Sequence, residues 1–139
     1  MVLLSPSAHA RISTPWGRDD NDREALRREL LVTLDRVVEG QPLTLLFGVL
    51  SSREGIVQLK LMKPRPGVRI VGGFLAEDVF VGLFVFLREE LPFKRIRAQT
   101  VAASKDYGVV NEDVRRAFNG FGLWPLHKPQ ALFQRRSGS

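Results

Sequence analysis

Lys60, Arg69 and Arg88 are the residues whose type and spacing come nearest to chemistry in this chain. Each lies on or beside one of three consecutive apolar segments, 55–62, 68–74 and 79–87, and Lys63, Arg65, Lys94, Arg95 and Arg97 lie beside the same segments. Arginine holds a phosphate through paired N–H bonds, and clustered cations stabilise charge developing at a scissile phosphate. RNA cleavage by that route needs no metal. The ribose 2′-hydroxyl is the nucleophile, and the protein positions and neutralises. The plainer alternative is three solvated sheet residues paired with Glu77, Asp78 or Glu89, which contribute little. Tyr107, the sole tyrosine, can stack on a base or act near a phosphate through its hydroxyl. As a loop residue beside Gly108 it would simply pack.

Other chemistries find less support. The chain has no cysteine, which excludes a thiol nucleophile, a disulfide framework and a Cys-ligated zinc. His9 and His127 fall near the two ends without carboxylates at metal-ligand spacing. Gly72-Gly73 lacks the dinucleotide fingerprint, and no glycine-rich loop ends in Gly-Lys-Ser/Thr. Glu89-Glu90 are adjacent, so on a strand they face opposite ways. Asp19, Asp20 and Asp22 read as helix caps rather than acid/base groups. No metal or cofactor is expected.

The elements that must position the basic residues follow from periodicity. Leu26, Leu30, Leu34, Val37 and Val38 form one apolar helical stripe, with Asn21 and Glu24 at capping-box spacing and Gly40 and Pro42 as stops. The run 43–50 suits a buried strand, with a short helix left open. Val57, Leu59 and Leu61 alternate with Gln58, Lys60 and Met62, the pattern of a half-buried strand. Gly72-Gly73 suggests a bulge or close backbone approach in the next strand. Segment 79–87 is apolar on both faces, so it belongs inside the sheet or under cover on both sides. Lys63-Pro64-Arg65-Pro66-Gly67 and Ala76-Glu77-Asp78 are the connecting turns. Pro92 interrupts regular structure, and 93–103 reads as a strand or a mobile segment. Residues 111–121 read as a helix capped by Asn111, with Val114, Ala117, Phe118 and Phe121 on one face and Trp124-Pro125 docking it. Phe93, Phe118, Phe121 and Trp124 are expected to complete the core or cover a sheet face, ahead of forming an aromatic stacking platform.

The expected fold is α+β: a small antiparallel meander packed with an N-terminal helix and a short C-terminal helix. Residues 1–17 are expected to form a loose lead with room for one short strand at its start, 18–126 a single domain, and 127–139 a flexible basic tail. Removing 128–139 is then expected to leave stability nearly unchanged.

Of 139 residues, 44% are apolar, and the formal charge is +6. Residues 1–90 hold 12 Lys/Arg and 12 Asp/Glu, whereas 91–139 hold 9 and 3. A local basic field favours a polyanion, or else serves solubility. No apolar run approaches the 18 or so residues of a membrane span. The four residues before Ser5-Pro6 are too few for a secretory signal, which makes the cytoplasm the expected compartment.

Gly55-Ile56-Val57-Gln58-Leu59-Lys60, Gly67-Val68-Arg69-Ile70, Phe74 and Val79-Phe80-Val81-Gly82-Leu83 together resemble the meander of the RelE/ParE superfamily of toxin-antitoxin proteins, in its phage-derived, HigB-like branch. The resemblance spans about residues 22–95. The family usually has two helices before the meander where one is evident here, and Leu91-Pro92-Phe93-Lys94-Arg95 only approximates its Phe-x-Lys-Lys segment. The resemblance implies a ribosome-associated mRNA endonuclease, or a relative that poisons another nucleic-acid enzyme. Arg69, Arg88 and Tyr107 would be its catalytic candidates, and Lys60, Lys63, Arg65, Lys94, Arg95 and Arg97 its RNA contacts. RNA or the ribosome would be the target, and an antitoxin protein would cover the basic face. Two other readings stand beside it. One is a non-catalytic nucleic-acid-binding or prophage adaptor protein. The other is an interaction domain whose apolar strands bind a protein partner or a second copy in a homo-oligomer. The first reading expects Arg69→Ala to weaken RNA engagement while leaving the fold intact.

Overall fold

The computed structural model describes residues 1–13, 20–62, 67–87 and 100–137. In chain order these form β1 (Val2–Leu4), α1 (Pro6–Ser13), α2 (Asp20–Val38), α3 (Leu43–Leu46), β2 (Phe47–Ser51), β3 (Ile56–Leu61), β4 (Val68–Ala76), β5 (Val79–Leu87), α4 (Thr100–Gly120) and α5 (Gln130–Ser137). The fold is α+β, as expected. The strands make one sheet in the order β1-β5-β4-β3-β2. β2 to β5 run as an antiparallel meander, and β1 joins the far edge of β5 in parallel. The sheet is therefore mixed. β5 lies inside it, which accounts for its apolar character.

The short strand allowed for at the start of residues 1–17 is β1, but Pro6–Ser13, expected to be loose, is the helix α1, and 14–17 lie outside the described residues. Ser5 and Pro6 start that helix. The Ser5 hydroxyl accepts from the Ala8 amide at 3.1 Å, and its own amide donates to the Gly82 carbonyl at 2.9 Å. Pro6 at the first helical position loses no bond, because that amide has no helical partner. Ala8 and Ile12, one turn apart, are buried. In α2 Leu26 is fully buried and Leu30 and Leu34 are half-buried, while Leu31 and Val32 face outward. Gly40 ends this helix at φ 80°, and the Gln41 amide returns to the Arg36 carbonyl at 3.1 Å. That is a Schellman closure.

The run 43–50 divides. Four residues are helical, and the strand begins at Phe47. The helix expected over 111–121 is the last part of the 21-residue α4. Asn111 is thus inside a helix rather than capping one. Residues 93–99 lie outside the described residues, and Thr100–Gly120 is helix rather than strand. α4 ends in a second Schellman closure: Leu123 N–H to Phe118 O at 2.9 Å and Gly122 N–H to Asn119 O at 3.0 Å, with Gly122 at φ 71°. Phe121, expected on the buried face, comes after the last turn and is 62% exposed.

The tail expected over 127–139 also departs from expectation. His127 N–H bonds the Phe74 carbonyl at 2.8 Å, and α5 follows with Leu132 only 3% exposed. The Pro129 carbonyl accepts from the Leu132 and Phe133 amides, which starts the helix. Two adjacent apolar residues in a charged segment show no period, so their burial is not readable from spacing.

Two apolar layers sandwich the sheet. On one side α1, α2, α3 and α5 cover Val57, Leu59, Leu61, Val68, Ile70 and the trio Phe47, Phe74 and Phe80, whose ring centroids are 5.0–5.4 Å apart. On the other side Val114 and Phe118 of α4 pack with Leu126 on Ile56, Val71, Val81 and Leu83. Val71 pairs with Phe84 but Gly72 pairs with Gly82, so Leu83 is an extra residue in β5. This bulge puts Val81, Leu83, Phe84 and Phe86 all on the α4 side. A Cβ on Gly72 would overlap the Val81 carbonyl. The close approach anticipated at Gly72-Gly73 is real, and the strand runs on through it.

Candidate nucleic-acid interface

Lys60 and Arg69 are directly opposed across β3 and β4. Alternation from Ile56 and Val71 puts both on the α4 side of the sheet, where Phe86 is Arg69's neighbour on β5. Lys60 is half-buried, but Arg69 is only 7% exposed. Its Nη1 donates to the Leu61 carbonyl at 3.3 Å and the Val68 carbonyl at 3.1 Å. These bonds tie the two strands together at the turn end of the β3–β4 hairpin. Gly67 makes room for them: it sits at φ 107°, and a Cβ there would lie 3.1 Å from Nη1 and 3.0 Å from the Leu61 carbonyl. A buried guanidinium needs such acceptors to offset its lost hydration. Neither cation stands alone.

A second basic site is a cleft of about 520 Å³ between the β2–β3 turn, the C-terminal half of α4 and the segment 124–128. Arg53 of the turn, Arg115 of α4 and Lys128 line it together with Glu54 and Trp124. The turn is built locally. The Gly55 amide bonds the Ser51 carbonyl at 2.9 Å, and the Ser51 hydroxyl accepts from the Glu54 amide at 3.2 Å. Gly55, at φ 82°, abuts the His127 carbonyl and the Lys128 stem, which brings the turn against the segment after α4. Gly73 anchors that segment from below: a Cβ there would lie 2.4 Å from a Leu126 methyl, so the missing side chain is the seat of Leu126.

The charges of the cleft are uneven. Arg115 pairs with Glu54 at 3.3 Å, and the Ser51 hydroxyl donates to the same carboxylate at 3.3 Å. The one acid among the lining residues is thus already neutralised and aligned. Arg53 and Lys128 are exposed and have no ion pair or side-chain hydrogen bond among the described residues. Trp124 is half-buried, packed on the α4-side layer while forming part of the cleft wall. Two uncompensated cations beside an indole can hold a phosphate next to a planar ring.

Of the residues expected to act, Lys60 and Arg69 are brought together. Tyr107 falls within α4, and its side chain lies outside the described residues, as do Lys63, Arg65, Arg88, Lys94, Arg95 and Arg97. Arg53, Arg115 and Lys128 were not singled out from the sequence as ligand contacts, and Trp124 was read as a core residue ahead of a stacking one. Arg53 is remote in sequence from the other three, and the docking of Leu126 on Gly73 with Gly55 against Lys128 brings it to them. Among the described residues no three His, Cys, Asp or Glu lie close enough to hold a metal ion, and no helix is long and apolar enough to cross a membrane. No protein-family model, curated protein or solved structure matches the chain.

Proposed function

We propose that this protein binds nucleic acid, RNA foremost, through the basic cleft, and does so without cleaving it. The observation that carries this reading is the convergence of Arg53, Arg115 and Lys128, from three separate segments, on one concavity walled by Trp124. Phosphate contacts supply most of the affinity of such a site. Excess positive charge in residues 91–139 adds a field that draws polyanions toward it.

A metal-independent endoribonuclease of the RelE/HigB type, working with RNA at the ribosome and covered by an antitoxin when silent, is the second reading. The register of Lys60 opposite Arg69 favours it. It ranks behind binding because Nη1 of Arg69 already donates to two backbone carbonyls. At 7% exposure the guanidinium also has little surface to offer a phosphate. Incubating end-labelled RNA with the protein, with and without ribosomes, and reading anisotropy of the ribosome-free samples and a denaturing gel of all of them separates the two. Salt-sensitive binding with intact RNA is the expected result. Cleaved RNA would favour the endonuclease, and absence of binding at low salt would remove both.

A further inference from the structure

Trp124 is half-buried where it forms the cleft wall, and the cations that line the cleft with no ion pair among the described residues, Arg53 and Lys128, are on different segments. A flat basic surface binds single and double strands alike, since it reads only phosphates. A recessed indole is different: paired bases are stacked inside the duplex and cannot reach it, whereas an unpaired base can. The cleft volume of about 520 Å³ falls in the range of pockets that enclose one small ligand. Arg115 is committed to Glu54, which leaves Arg53 and Lys128 as the net positive charge at the rim. Two such cations can hold one phosphate between them.

We infer that the cleft takes one unpaired nucleotide, its base stacked on the Trp124 indole and its phosphate held by Arg53 and Lys128, so that the protein selects single-stranded over double-stranded nucleic acid. This rests on the nucleic-acid-binding reading and adds the strand state and the mode of recognition. Glu54 holds Arg115 in place and does not touch the nucleotide.

The chain has two tryptophans, so Trp16→Phe leaves Trp124 as the sole tryptophan, read by selective indole excitation. That variant is titrated with twelve-residue single-stranded RNA, single-stranded DNA of the same sequence, and the RNA duplex, at one fixed salt concentration. Single strands are expected to quench Trp124 and to bind about tenfold more tightly than the duplex, within the range that one stacked base supplies. Both single-stranded arms support the inference, and their ratio reports whether the ribose hydroxyl is read. Trp124→Leu, which keeps an apolar wall without a π-face, is expected to lose that tenfold and leave duplex affinity unchanged. Trp124→Phe should retain most of it, with circular dichroism and melting confirming each fold. Equal affinity for single strand and duplex, with Trp124 emission unchanged, would overturn the inference and leave the basic-surface reading standing. No binding of any arm at low salt would overturn both. Should Trp124→Leu fail to fold, the quenching and strand preference of the Trp16→Phe protein decide.

Discussion

A guanidinium that faces water and one buried with Nη1 on backbone carbonyls are different reagents, and Arg69 is of the second kind. Its bonds to the Leu61 and Val68 carbonyls close the β3–β4 hairpin. Arg69→Met, which keeps the stem and removes the donors, is therefore expected to cost about 2–3 kcal/mol, the scale for charge-assisted bonds lost from a buried site. Denaturant unfolding reads it as a lower midpoint with an unchanged slope; an unmoved midpoint would show that those bonds contribute little. Loss of RNA binding in that variant is interpretable only after this stability measurement. Asn111 is the opposite case. Its Oδ1 is buried inside α4 without a hydrogen-bond partner among the described residues. Asn111→Ala removes that unmet acceptor and raises helix propensity, so it should stabilise the protein by about 1 kcal/mol. A lower melting temperature would mean that the amide has a role in the fold. The opposition of Lys60 and Arg69 was half-legible in the sequence, because strand alternation gives the side of the sheet. Their depth was not: period two says which side a residue faces but not that a helix from Thr100 to Gly120 covers that side.

At the scale of elements, the strands and α2 were legible because their apolar residues repeat at the period of the structure they form. The ends of the chain were not. Ser5-Pro6 carries the same residues whether it stops a strand or starts a helix, and the bonds from Ser5 to Gly82 and Ala8 decide between them. α5 has a short apolar signal, Leu132-Phe133, and its order comes from long-range packing against α3 and β2. Leu132→Ala is expected to destabilise the protein by about 2–4 kcal/mol, the usual cost of emptying a leucine site in a core. An unchanged thermal midpoint would restore the picture of an undocked tail. The segment 124–128 is held by the same kind of distant agreement, with Leu126 seated on Gly73 and His127 bonded to Phe74. Because that docking sets where Trp124 and Lys128 stand, the cleft could not be found from sequence spacing.

At the scale of the molecule, one sheet separates two layers with different work. The layer beneath α1, α2, α3 and α5 is apolar and holds the phenylalanine trio. The α4 side mixes apolar packing with Lys60 and Arg69, and the cleft opens where α4 ends. A net charge of +6 drives approach of a polyanion from any direction. The cleft determines where it is held. The most direct measurement is the salt dependence of single-stranded RNA affinity, compared between the parent protein and the double variant Arg53→Gln, Lys128→Gln. Each phosphate neutralised on a single strand contributes a slope of roughly 0.7 in log affinity against log salt. Loss of the one phosphate these two cations hold should make the slope shallower by about 0.7, with the melting temperature unchanged because both side chains are exposed. A double variant with the parent's slope and affinity would contradict the account and move the interface elsewhere on the surface.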